Sequence, residues 1–318
     1  MKLLLLWVGW MAAACAAAEP PVRYAEVMPL AAKSLLLDVA AMDSGYVAVG
    51  ERGHVLLSAD GEQWRQPGER AVPTRATLTA VAAVGRHLWA VGHDSVIIHS
   101  ADGGQSWQRQ FIDPDREQPL LDVWFDDENT GWAMGAYGLL LTTRDGGAHW
   151  EDVLLSEEYD YHLNAMTTLA DGTRLIIAEA GNAWRRLPGE SDWSLLELPY
   201  AGSMFSVLSV EGQRLVAMGL RGHVLESVDR GGEWYVARTG TEANLFGGSV
   251  GPDGSLVIVG AKGSILHRAA GQVDFRLHEL DATGDLAAVL NLGAGELIVV
   301  GERGVKRIRL GDAPGSRP

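Results

Sequence analysis

Short apolar runs recur along the chain at nearly constant spacing. They read LLDVAA, LTAVAA, LLDVWF, LNAMTT, FSVLSV, LFGGSV and LAAVLN. Each is followed by a second apolar run ending in Gly, such as YVAVG, HLWAVG or RLVAMG. A tight turn, a third run such as HVLLS and a polar hairpin closing on Trp complete the unit. The runs are short, rich in branched residues and bounded by Gly, which predicts strands rather than helices. The residues ending the second run are Gly50, Gly92, Gly135, Ala178, Gly219, Gly260 and Gly301, at spacings of 42, 43, 43, 41, 41 and 41. Seven copies at this period mean a repeat architecture. Four strands per repeat predict one propeller blade each. The expected fold is all-β, a single seven-bladed β-propeller over residues 19–318.

The ends of the pattern bear on ring closure. The seventh repeat has no outer strand of its own, because GDAPGSRP cannot supply one. The spare run VRYAEVM, residues 22–28, is expected to complete that last blade and close the ring.

The polar hairpins share a spacing, Ser/Thr-x-Asp-x-Gly-x-x-Trp. SADGGQSW, TRDGGAHW and SVDRGGEW fit it, and SADGEQW is one residue shorter. This is an Asp-box, or BNR repeat. Four equivalent carboxylates around a ring cannot converge on one reacting centre. Asp60, Asp102, Asp145 and Asp229 are therefore expected to accept hydrogen bonds within their own turns. Trp64, Trp107, Trp150 and Trp234 are expected to fix each hairpin to its blade.

GWAMGAYGLLLTTRDGGAHW, in the third repeat, resembles the photosystem II stability/assembly factor family. The resemblance covers the body from about Val22 to Leu310 and fades in the fourth repeat, AEAGNAWRRLPGESDW. It implies an exported seven-bladed scaffold, often lipid-anchored, that binds a protein client without catalysis or cofactor. Relatives also occur in bacteria that do not photosynthesise, so photosystem assembly does not follow. Sialidases resemble the chain in their Asp-boxes, which makes a sialidase-like glycoside hydrolase the competing expectation. That enzyme class has six blades and an Arg-Ile-Pro motif, and the chain contains no Arg-Ile-Pro. A glycan- or small-molecule-binding propeller is the third reading.

Charge and the N-terminus narrow the setting. A net charge of −15 disfavours nucleic acid and anionic membrane surfaces as partners. Lys2, the run LLLLWVGWMAAA and a small-residue site at Ala16 to Ala18 read as a signal peptide over residues 1–18. That predicts export, to the periplasm in a bacterium. AAAC also offers Cys15 as a lipidation site, which would tether the protein to a membrane. Cys15 is the chain's one cysteine, so the mature body has no disulfide. The nine histidines show no His-Glu-x-x-His spacing, and no metal site is expected. The protein is expected to be monomeric.

The turn between second and third strands recurs as GERG, GHDS, GAYG, AEAG, GLRG, GAKG and GERG. Its third residues in blades 5, 6, 7 and 1 are Arg221, Lys262, Arg303 and Arg52, a basic arc on an acidic protein. The resembling family is described as using an arginine patch on one propeller face. The arc is thus the expected site for a client's carboxylates. On the same face Tyr137, with Tyr159 and Tyr161 of SEEYDYH, is an aromatic candidate for partner contact. Asp38, Asp122 and Asn164 are expected at matching inner-strand positions around a central channel.

Overall fold

The structure, a computed structural model, describes residues 20–280 and 284–311. Residues 1–18, expected as a signal peptide, and Cys15 lie outside the described residues. Seven antiparallel sheets follow one another along the chain as the blades of a propeller. Their innermost strands are Leu36–Met42, Leu78–Val84, Leu120–Phe125, Leu163–Thr168, Met204–Ser209, Leu245–Val250 and Leu286–Gly293, in blades 1 to 7. Blades 2 to 6 hold four strands in chain order, and blades 1 and 7 hold three. In blade 1 the outer strand shrinks to a single bridge between Leu57 and Arg65.

The recurring Gly has a steric cause. Every innermost strand shifts register near its start, as between Leu36 and Asp38 and between Leu120 and Asp122. This bulge presses the incoming chain against the end of the second strand. A Cβ on Gly50 would collide with the carbonyl oxygen of Leu35, and one on Gly135 with that of Pro119. At these distances only Gly fits, and blade 4 is the exception, keeping the bulge with Ala178 in the equivalent place.

The core lies between blades rather than within one. Val47 and Val49 of blade 1 pack with Leu78, Val81 and Leu88 of blade 2. Ala48, between them, packs the other way, with Ile298 and Val300 of blade 7. Alternation with period two thus serves two neighbours at once, and the strand reads as an unbroken apolar run. Fully burying one such Val, Leu or Ile stabilises by about 1.5–3 kcal/mol.

Ring closure differs from the sequence expectation. Residues 22–28 form no strand with blade 7, whose sheet remains three-stranded. They run extended over the connection between blades 1 and 2. The Ala25 amide donates to the Val72 carbonyl at 2.9 Å, and Arg75 Nε donates to the Tyr24 carbonyl at 2.8 Å. Gln66 receives the Met28 amide at 2.6 Å and donates to the Glu26 carbonyl at 3.0 Å. The run specified extended backbone, but nothing in it specified which edge it would meet. The 7–1 seam closes instead through the face of Leu36, Val39 and Leu56 against Ile298 and Val300. Arg307 adds a 2.7 Å hydrogen bond to the Asp60 carbonyl across the same joint.

The inner strands surround a channel of about 400 Å³. Asp38 accepts its neighbour Val39's amide and, across the blade boundary, that of Val81, each at 2.8 Å. Asp122 repeats this with Val123 at 2.8 Å and Met166 at 2.9 Å. Asn164 does not match them. It is the residue skipped by the bulge, equivalent to Leu37 rather than Asp38. Its Nδ2 donates to the Met204 carbonyl of blade 5 at 2.8 Å, as Thr79 donates to Leu120 of blade 3 at 2.8 Å. Two kinds of inter-blade stitch therefore alternate from blade 1 to blade 4.

Candidate partner-binding face

The turns that close the second and third strands share one face of the ring. Their third residue has a left-handed backbone in six blades: Arg52 (φ 56°), Asp94 (60°), Tyr137 (54°), Ala180 (56°), Arg221 (53°) and Lys262 (57°). That region disfavours side chains by about 1–3 kcal/mol per residue, and such strain concentrates where side chains are used. Arg303 comes from a plain two-residue turn, between strands Glu296–Gly301 and Gly304–Arg309.

Arg52, Arg221, Lys262 and Arg303 are all exposed. None makes a side-chain hydrogen bond or ion pair among the described residues. The carboxylates beside them are otherwise engaged. Glu51 accepts the Leu35 amide at 3.4 Å, and Glu302 that of Asp285 at 3.2 Å. Asp285 in turn caps the Lys262 amide at 2.9 Å, and Asn244 caps that of Arg221 at 3.1 Å. Each blade thus pins the turn of the blade before it, while the cationic tips remain in solvent. The arc is interleaved with these acids rather than uniformly basic.

The aromatic candidates meet in a groove of about 330 Å³ between blades 3 and 4. Tyr137 is 55% exposed and stands edge-on to His162, with ring centroids 4.8 Å apart. Tyr159 stacks on Tyr161 at 5.3 Å. Tyr161 is half-buried and leans on Trp184, so it supports the groove rather than lining it. Leu154, 72% exposed, and Trp184 also line it, neither singled out from sequence, together with Glu157, Glu158 and Asp160. Glu158 hydrogen-bonds the Tyr159 hydroxyl and raises its pKa. No arginine lines this groove, so the Tyr–Glu pair lacks the cations that a sialidase-type site requires.

The aspartate hairpins stand on the opposite face. Asp60 Oδ1 accepts the amides of Glu62 and Gln63, each at 2.8 Å. Asp102 takes Ser106 through its amide at 3.0 Å and its hydroxyl at 2.6 Å. Asp229 accepts from Gly232 at 3.0 Å and Glu233 at 2.9 Å. Asp145 is bonded by both the His149 ring, at 2.7 Å, and the His149 amide, and these hold its carboxyl down at about 2. Trp64, Trp107 and Trp234 donate Nε1 to the carbonyls of Gly61, Gly104 and Gly231 at 3.1, 3.0 and 3.2 Å. Trp150 Nε1 is buried without a partner, and its ring meets Phe125 edge-on. Every hairpin carboxylate is consumed within its own turn. Among the described residues no cluster of His, Cys, Asp and Glu suits a metal ion. No helix among them is long and apolar enough to cross a membrane.

The sequence profile described as photosynthesis system II assembly factor YCF48 matches residues 19–116 and 110–286. The chain belongs to this family. The fold agrees with solved YCF48 structures. One, described as YCF48 bound to D1 peptide, superposes with a TM-score of 0.70 at 16% identity, covering 94% of this chain and 98% of that one. YCF48 from Cyanidioschyzon merolae gives 0.68 at 18% identity, covering 88% and 96%. Virginiamycin B lyase from Staphylococcus aureus gives 0.76 at only 10% identity, covering 91% and 99%, a likeness of fold alone. No individually curated protein matches the chain. Family membership and fold together make it a propeller of the protein-binding, assembly-factor type.

Proposed function

We propose that the protein is an exported, non-catalytic scaffold that binds a protein component of a membrane or envelope complex through its turn face. The carrying observation is the arc of four exposed cations, Arg52, Arg221, Lys262 and Arg303, whose own neighbouring acids are committed to backbone amides. A client with clustered carboxylates gains orientation and association rate from such an arc. Screening confines each charge's field to about 8–10 Å, so the acidic body does not cancel it. The solved relative carrying a D1 peptide supports a peptide segment as the form in which a client is met. The Tyr137 groove beside blade 4, aromatic with Glu157, Glu158 and Asp160 in its lining, suits an apolar or basic residue of that segment.

The test is affinity for a client co-purified from envelope extract, measured at two salt concentrations. Arg52→Glu with Arg303→Glu is expected to weaken binding at least tenfold while leaving the melting temperature unchanged. Arg86→Glu with Arg230→Glu, on the opposite face, is the control and should do much less. Equal effects from both pairs, or binding indifferent to salt, would remove the arc from the account.

A further inference from the structure

A second cleft lies between blades 3 and 4, towards the hairpin side of the ring, and adjoins the Tyr137 groove at Leu154 and Leu155. It encloses about 520 Å³, within the range of small-molecule sites. Three arginines line it: Arg144 from the blade 3 hairpin, and Arg174 and Arg186 from blade 4. Arg174 and Arg186 are directly paired across adjacent strands, Arg174–Ala178 and Asn182–Arg186. Like charges placed opposite each other destabilise a sheet, so this pairing calls for a compensating partner.

The protein supplies only part of one. Asp126 binds Arg174 from behind, and that carboxylate is also occupied by Trp124 Nε1 and the Thr168 hydroxyl, each at 2.9 Å. Arg174 Nε remains buried without a partner. Arg186 and Arg144 make no side-chain hydrogen bond or ion pair among the described residues. Asp192 sits at the exposed rim and pairs with none of the three there. Arg186 is held by stacking alone, 4.8 Å over Trp193 and 5.9 Å over Trp132. Burial, followed by the charges of Arg174 and Arg144, lowers its pKa. An anion entering here meets guanidinium forks already positioned and partly stripped of water.

The rest of the lining specifies what carries the anion. Trp193, Val153 and Leu155 offer flat and aliphatic surface, while Trp132 is buried beneath Arg174 and Arg186 and forms the floor. We propose that this cleft binds a small organic acid, one carboxylate on a flat apolar body, with the carboxylate on Arg144 and Arg186 and the body against Trp193 and Val153. Its arginines are distinct from the cations of the turn face, and the proposal does not depend on the reading given to that face.

Titration calorimetry with phenylacetate tests it, with neutral phenylacetamide as the matched control. The acid is expected to bind and the amide to bind at least about tenfold more weakly, since a hydrogen bond to a charged group is worth that much. Arg186→Met should reduce acid binding about tenfold. Arg144→Ala, an exposed change that leaves the sheet intact, should reduce it several-fold. Arg52→Glu, on the other face, should leave it unchanged. Equal binding of acid and amide, no heat with the acid, or wild-type affinity in both Arg144→Ala and Arg186→Met would overturn the proposal.

Discussion

Blades 4 and 5 are neighbours with the same strand order, yet their outer hairpins use their side chains in opposite ways. In blade 5 the hairpin folds onto itself. Ser227 donates to Asp229 at 2.8 Å and accepts the Gly231 amide at 2.9 Å, and Trp234 closes the turn. In blade 4 the equivalent stretch, RRLPGESDW, has no such aspartate net. A simple turn remains, in which Glu190 caps the Leu187 amide at 3.1 Å. Its other side chains, Arg186, Ser191, Asp192 and Trp193, face a cleft instead. The gap is widened because the outer strand of blade 3, Glu151–Asp152, is only two residues long. A repeat that holds its shape through inter-blade packing can lose one hairpin net and keep the ring. The released positions then become available for binding.

The largest expected effect tests the backbone rule behind that tolerance. Gly135→Ala drives a methyl into the Pro119 carbonyl, and we expect a loss of about 3 kcal/mol in denaturant unfolding. Blade 4 already carries Ala178 at the equivalent place, so Ala178→Gly should shift stability by only about 0.5–1 kcal/mol. A clear gain in stability from Ala178→Gly would mean that blade 4 obeys the same steric rule as its neighbours. Next in size is the hairpin itself. Ser227→Ala leaves the buried Gly231 amide without its acceptor and should destabilise by about 1–3 kcal/mol. Ser191→Ala, exposed in blade 4, should leave the melting curve in place.

A further comparison is a pH dependence in which two regions oppose each other. Desolvation raises Asp38 to about 7 and Asp122 to about 6, even though each accepts two amides. Their folded pKa values exceed the unfolded ones, so the stability they contribute is complete below about pH 4 and is lost as pH rises towards 7. His99 behaves in reverse. Burial, then the charge of His87, lowers it to about 4, so stability falls as pH drops from about 6.5 towards 4. Thermal melts of His99→Gln should show a steeper decline from pH 4 to 7 than the wild type. A parallel pair of curves would mean that His99 titrates normally. Carbon NMR of the aspartate carboxyls should place the midpoint of Asp38 near 7.

The architecture was legible because the repeat writes its constraints many times over. The Gly ending each second strand, the alternating apolar runs and the Trp-closed hairpins all follow from contacts made in nearly every blade. What escaped was whatever happens once. The edge chosen by residues 22–28 depends on Gln66, Val72 and Arg75, which no periodicity connects to them. The place of Asn164 depends on a one-residue bulge that shifts its register from that of Asp38. The turn cations were readable because they occupy repeated positions. The Arg144–Arg174–Arg186 cluster was not, because its members come from a blade 3 hairpin and two strand ends of blade 4. The dipeptide Arg185-Arg186 beside a Trp, in the repeat that had lost its aspartate, was the available signal.

The joint between blades 7 and 1 has a mechanical consequence. Every other pair of adjacent blades is linked by the chain itself, so tension along the polypeptide passes through covalent bonds there. At the 7–1 joint the load falls on the apolar face around Leu36 and Ile298 and on the Arg307 bond to Asp60. No shared sheet resists it, because residues 22–28 lie elsewhere. A pull between the two ends of the ring would therefore open it like a clasp at this one place, with the remaining blades following in order from both sides. Single-molecule stretching from residues 29 and 310 would record that opening as the first and weakest event.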